Sequence, residues 1–464
     1  MKKMRLDNRF RRATLIGTAA LTLVGMGACG TVQDSLLEQQ QPQIISPTAV
    51  ASVAGALGLY TGALGQFRTA LNGHNNNQET IWNFEGLMTD EFKAGDTFSQ
   101  RIDADQRATQ SQDVVMGLTY NYVQQARGFA RTAINSLQQY APAEKTKIAE
   151  MYMEMGFMEL TLGQAFCNGI PLGETVDAGA GLAPVYTAPL TNAAVFAQAI
   201  ARFDTALTFN TGTDAQSVNV QYATLVAKAR AQVDLGQFAA AATTVASVPT
   251  TSAYLITYSQ TTQSNEWWQM ASSTKRYVVG DSIDSSGIVA NSIPFAQGTD
   301  PRVKVNRTTA KAFDNLTPYV DFLNYGREDP VALVSGVDAR LIEAEAKLQT
   351  ADYAGMTTIL NTLRTAPPKI GNLVIAAMPA LTAPTAKDPA IDLYFREKAY
   401  WQFARGERFS DLRRLTRQYG RTQDKVWPSG TFYKQGTYGT NVAFPVPDAE
   451  GANPKFKGCI DKNA

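Results

Sequence analysis

Histidine is the scarcest resource in this chain, with one in 464 residues. A Ser-His-Asp triad, a His-rich zinc site and a two-histidine metalloprotease helix are therefore unavailable or nearly so. The single His74 lies in the polar run Asn72-Gly73-His74-Asn75-Asn76-Asn77, which has the composition of a solvated loop. Cysteine is almost as scarce, at three. Charge of one sign is also missing, since 42 Lys and Arg face 41 Asp and Glu. A nucleic-acid partner wants a strong basic excess, so that class is excluded. The apolar run Ala13 to Val24 is too short to span a bilayer comfortably. Asp103-Ala104-Asp105 lacks the glycine and distal glutamate of a calcium loop, so neither metal nor cofactor is expected.

What is present begins at the N-terminus. Lys2, Lys3, Arg5, Arg9, Arg11 and Arg12 precede the apolar run, and Gly25-Met26-Gly27-Ala28-Cys29 follows it. Basic, apolar and small-residue segments in that order read as an export signal over residues 1–28. Small residues before a cysteine resemble the bacterial lipobox, with Met26 where Leu is commoner. Cleavage before Cys29 and diacylation of its thiol would fix the chain to a membrane, since two or more acyl chains anchor stably where one does not. Loss of residues 1–28 removes six basic residues and one acidic one, leaving 36 against 40 and a net charge of −4. About 436 residues remain, enough for two ordinary domains or one large one. Cys167 and Cys459 are then the only other cysteines. In an oxidising compartment they can form one disulfide joining the chain's end to its first third, or stay as two buried thiols.

The mature chain reads as mostly α. Residues 29–47 are Gln-rich and form a tether, and residues 48–464 form the folded body. Val50, Val53, Ala54, Leu57, Tyr60, Leu64 and Phe67 recur at three and four, the spacing of one helix face. Gly55, Gly58, Gly62 and Gly65 in the same stretch suggest close helix packing. Helices are expected over 113–140, 143–166 and 192–209, and helical hairpins over 222–248 and 337–364. The hairpin turns, Leu235-Gly236-Gln237-Phe238-Ala239 and Thr350-Ala351-Asp352-Tyr353-Ala354, share the tetratricopeptide pattern of a small residue followed two on by an aromatic. Periodicity lapses in three regions, 72–112, about 250–330 and 366–386. A helical frame with long irregular excursions keeps function on the excursions.

Three motifs carry a family resemblance. Val337-Asp338-Ala339-Arg340-Leu341-Ile342-Glu343-Ala344-Glu345-Ala346 is the first. Arg396-Glu397, an apolar helix, Gly406, Arg408, then Asp411-Leu412-Arg413 is the second. Phe444-Pro445-Val446-Pro447-Asp448-Ala449-Glu450 with Asn453-Pro454 is the third. In this order they resemble the SusD/RagB family across essentially the whole mature chain, least in 250–330. The resemblance implies a non-catalytic lipoprotein on the outer face of the outer membrane. It implies capture of an oligosaccharide or peptide and delivery to a SusC-like TonB-dependent barrel. The motif charges Arg396, Glu397, Arg408 and Asp411 read as ion pairs pinning the C-terminal helices, and Arg340 with Glu343 as an intrahelical pair. Exposed pairs of this kind contribute little. The nine basic residues of 396–425 read as a solvated helix face.

A sugar offers an apolar C–H face and a rim of hydroxyls, so its receptor needs aromatic rings beside polar groups. Trp82 with Asn83, Trp267, Trp268, Tyr277, Tyr319 and Tyr325 lie in the irregular regions and are the expected ligand contacts. Trp401, inside a helix motif, is expected in the core. Two rival readings stay open, a periplasmic tetratricopeptide-like scaffold for protein assembly and a secreted hydrolase using paired carboxylates.

Overall fold

The computed structural model describes residues 51–73, 79–177 and 182–464. The export signal, Cys29, the tether and His74 lie outside the described residues. Residues 52–464 form one unit.

Helix α1 (Val53–Leu71) starts at Ser52, whose hydroxyl accepts the Gly55 N–H at 3.0 Å. It buries Ala56, Tyr60, Ala63, Phe67 and Ala70, an alternating spacing of four and three. Its glycines behave otherwise than expected. A Cβ added at Gly58, Gly62 or Gly65 meets nothing within 4 Å. Alanines make the close approach instead, Ala56 and Ala63 packing with Ala130 and Ala133 of α4 (Val114–Tyr140). Helix α5 (Lys145–Ala165) is buried nearly all round from Ile148 onward, Glu150, Glu154 and Glu159 included. Glycine is needed there: a Cβ at Gly163 would lie 2.6 Å from Phe196, and one at Gly156 2.9 Å from Phe203, both rings on α6 (Asn192–Phe209).

The two hairpins are α7 (Ala215–Asp234) with α8 (Phe238–Val245), and α9 (Gly336–Gln349) with α10 (Tyr353–Thr365). Gly236 and Ala351 occupy the left-handed turn position, at φ 75° and 59°. Although a hundred residues apart in sequence, the hairpins are neighbours, with α8 against α9. The chain between them leaves and returns through one antiparallel ladder. Ala253–Ile256 pairs with Val331–Ser335, Ile256 opposite Val331. Gly336 closes this neck, where a Cβ would lie 2.0 Å from the Pro249 carbonyl oxygen.

The excursion holds short hairpins and a π-helix, Trp268–Ser273. Its strand Tyr277–Val279 pairs with Phe92–Ala94, so the two irregular regions meet. The first of these regions contains two helices the sequence reading missed, α2 (Ile81–Met88) and α3 (Ser99–Asp105). All eight residues of α2 are buried, so no polar face marks a helical period. Residues 366–386 are irregular, as the proline content suggests. No helix among the described residues is long and apolar enough to cross a membrane.

Helices α11 (Lys387–Trp401) and α12 (Arg408–Arg417) carry the second motif. Three of its four expected charges make ion pairs, all buried, whereas Arg396 is exposed and makes none among the described residues. Glu397 pairs with Arg302 and Arg364, Arg408 with Asp90, and Asp411 with Lys398 and Arg414. The solvated-face reading of 396–425 is thereby corrected, because Arg405, Arg408, Arg413 and Arg414 are all buried. Arg413 donates to the carbonyls of Gln164 and Phe166, which end helix α5. A cation there matches the negative pole of the helix. Arg340 pairs with Glu343 at 3.0 Å within α9. Trp401 is in the core, as expected, and Cys167 is bonded to Cys459, with Cα atoms 6.0 Å apart.

Candidate ligand-binding surface

Six of the seven expected contacts are core residues, which corrects that expectation. Trp82 fills the space above Gly406, which sits at φ 68°, and a Cβ there would collide with the indole at 2.0 Å. Asn83 is buried beside it and accepts the Thr80 hydroxyl. Trp267 stacks on Phe92 with centroids 4.4 Å apart, and Tyr277 lies 6.4 Å from it. The Tyr319 hydroxyl donates to the Ala271 carbonyl at 2.9 Å. Tyr325 sets its edge against Phe322 at 5.7 Å. These rings cement the excursion to the frame, so none offers a face to a ligand. Trp268 alone is partly exposed, with the Arg327 guanidinium 5.4 Å from its ring centroid.

The surface above this aromatic core carries different rings from the same two stretches. Phe98 is 39% exposed and Phe313 44%. Each has an arginine behind it, Arg101 at 5.3 Å from the Phe98 centroid and Arg276 at 3.7 Å from that of Phe313. One carboxylate holds both arginines. Asp96 accepts from Arg101, and from Arg276 at 2.8 and 2.9 Å. Its Oδ1 also takes the Thr97 and Phe98 backbone N–H groups, at 2.7 and 3.2 Å. Burial opposes the charge on Asp96, but the two guanidiniums outweigh it and hold the carboxyl below its ordinary range. Asp96 thus fixes the backbone under one ring and the cations beneath both.

The remaining support comes from three segments. Gly95 O accepts the Asp314 N–H at 3.0 Å, and Lys275 O the Phe313 N–H at 3.0 Å. Gly95 is required here, since a Cβ would lie 2.5 Å from that of Ala312. From the C-terminal region, Lys434 pairs with Asp314 and donates to Asp96 O at 2.9 Å. Exposed Thr97, Lys275 and Asn315 surround the rings. The set is aromatic, cationic and hydroxyl-bearing, which suits binding a polyhydroxylated ring by its face and rim.

Of the acidic residues Asp103 and Asp105, the second serves the scaffold. Asp105 Oδ2 accepts the Ala94 N–H and lies 2.7 Å from the Tyr433 hydroxyl, which is itself 2.7 Å from Ala94 O. One hydroxyl proton cannot serve both acceptors, so a protonated Asp105 completes the set by donating to Tyr433. Burial pushes the Asp105 carboxyl up to about 7. A raised folded value makes its contribution to stability full below about 4 and lost as pH climbs toward neutrality. Thermal melts should therefore show a fall between pH 5 and 8. Asp105→Asn should flatten that slope by about 2–4 kcal/mol, the scale of a shift of two to three pKa units. An unchanged slope would refute the assignment.

Phe98 and Phe313 were missed because the search favoured Trp and Tyr. The signal was available: each adjoins turn formers, Gly95-Asp96-Thr97-Phe98 and Phe313-Asp314-Asn315.

No protein-family model matches the chain, and no curated protein does. Solved structures do. A SusD superfamily protein from Bacteroides fragilis superposes with TM-score 0.63 at 13% identity, over 88% of this chain and 99% of that one. A SusD-like carbohydrate binding protein from the same species gives 0.62 at 10%, over 88% and 99%. A second SusD-like carbohydrate binding protein, from Bacteroides vulgatus, gives 0.59 at 12%, over 88% and 97%. Likeness along nearly the full length of these proteins gives this chain the SusD-type fold.

Proposed function

We propose that this protein is a glycan-capturing lipoprotein of the outer-membrane surface, anchored through Cys29, that passes its ligand to a SusC-like TonB-dependent barrel. It binds and does not catalyse. The observation that carries the reading is the pair of exposed rings, Phe98 and Phe313, whose backing arginines share Asp96. Rigid rings over a locked polar layer lose little freedom on binding. Carbohydrate binding by two structural neighbours supports a sugar as ligand. The export signal and lipobox-like Gly25-Met26-Gly27-Ala28-Cys29 support the anchor. Trp268, with Arg327 behind it, is a further ring available to a longer ligand.

A glycan array probed with the full chain tests the reading. Bound glycans should be lost by about tenfold or more in the Phe98→Ala, Phe313→Ala double variant, about 1.4 kcal/mol or more for two stacking faces. Membranes solubilised gently should yield a large barrel protein with the chain. Full binding by the double variant would move the site elsewhere, and no co-purifying barrel would argue against delivery.

A further inference from the structure

The segment that supplies Arg276 has an unusual backbone. The π-helix Trp268–Ser273 is closed by the Thr274 N–H to Gln269 O at 2.9 Å and the Arg276 N–H to Met270 O at 2.8 Å. Lys275, between these two donors, has φ 56°. A helix end of this geometry ordinarily takes glycine, so a lysine sits here against its backbone preference. π-Insertions and left-handed non-glycine residues gather at functional positions.

The Lys275 side chain is exposed, with its ammonium 5.3 Å from the Tyr319 ring centroid. It makes no ion pair among the described residues, whereas the acids next to the exposed rings are matched and Asp321 accepts the Ser272 hydroxyl at 2.7 Å. Asp96 serves Arg101 and Arg276, and Asp314 serves Lys434. Burial opposes ionisation of Asp314 too, but Lys434, Thr317 and backbone N–H groups hold its carboxyl below the ordinary range. Both acids are thus committed to their partners at neutral pH. Lys311, two residues before Phe313 and exposed, also makes no ion pair among the described residues. Two exposed lysines without ion pairs thus adjoin Phe313 along the backbone, Lys275 through its carbonyl, which accepts the Phe313 N–H, and Lys311 two residues before it.

Resting on the glycan reading above, we infer that this surface selects an anionic oligosaccharide, with a carboxylate or sulfate at Lys275 and a sugar face on Phe313. Aromatic stacking places the ring and the lysine reads its charge. Lysine suits the task as a mobile point charge with three donors.

Calorimetric titration of the full chain with three probes tests this: an oligogalacturonate, its carboxyl-reduced counterpart and a sulfated oligosaccharide of similar length. At least one acidic probe should bind about tenfold tighter than the neutral one, the worth of one partly desolvated charge pair. That margin should shrink at about 1 M salt, where the screening length is about 3 Å. Comparing the two acidic probes separates carboxylate from sulfate. Lys275→Gln should abolish the margin between the acidic and neutral probes. Lys275→Gly, better suited to the left-handed backbone, should lose the margin while melting no lower than the parent, which rules out misfolding as the cause. Equal binding of acidic and neutral probes, or a margin that survives Lys275→Gln, overturns the inference. If the neutral probe binds and depends on Phe98 and Phe313, the glycan reading stands even so. If none of the three binds, both fall.

Discussion

Arg405→Met should lower folding stability by about 3–5 kcal/mol, the loss seen when one partner of a buried ion pair is removed. Arg405 is 3% exposed. Its Nη1 and Nη2 meet the two oxygens of Asp338 at 3.0 and 2.6 Å, and its Nε donates to Ala332 O at 3.0 Å. One guanidinium thus ties the loop between α11 and α12 to helix α9 and to the neck strand Val331–Ser335. Asp338 also accepts the Ser335 N–H at 2.6 Å, capping α9, and Gln402 Nε2 at 2.9 Å. Burial opposes the Asp338 charge, but Arg405 outweighs it and keeps the carboxyl below its ordinary range. A depressed value means stability that is present above about 4 and lost as pH falls further. Without Arg405 burial dominates, and the carboxyl must take up a proton or remain an unmatched buried charge. The variant should therefore be hurt more at pH 8 than at pH 4. Urea unfolding at both values checks this, and a loss below about 1 kcal/mol, the size of an exposed pair, would refute it.

The second large effect belongs to the disulfide. Cys167 and Cys459 are 292 residues apart, so the bond restricts most of the unfolded chain. Cys459→Ser should cost about 2–5 kcal/mol, the range for native bonds closing long loops. The tail has other holds: the Ile460 N–H donates to Asn168 O at 2.7 Å and Asn168 Nδ2 to Asp461 at 2.7 Å. Reductant should bring the parent down to the variant's melting temperature and leave the variant unmoved. A parent indifferent to reductant would show that the crosslink contributes nothing.

How much was legible follows from which forces leave a periodic trace. Helices α4, α5 and α6 were readable because each has an apolar face or body of sufficient length. The hairpin turns were readable because left-handed positions such as Gly236 and Ala351 restrict residue choice. The excursion could be delimited by its loss of period, but not the pairing of Ala253–Ile256 with Val331–Ser335 at its neck, a contact between strands more than seventy residues apart. Burial of aromatics in irregular chain was the chief blind spot. Trp267 and Trp268 are adjacent, yet one is wholly enclosed and the other partly open. Only the long-range approach of Phe92 decides which is which. The motif arginines were placed in the right helices but on the wrong side, because a basic run reads as a wet face until its partners, Asp90, Asp338 and Glu345, arrive from distant chain.

The narrow neck of the excursion has an evolutionary corollary. A module joined to its host through two short strands can be exchanged only together with the side chains that meet its outside contacts. Those outside contacts include the edge Phe92–Ala94 paired with Tyr277–Val279, the stack of Trp267 on Phe92 and the buried pair of Arg302 with Glu397. Such an exchange carries those contacts with it and leaves the helical chassis the same.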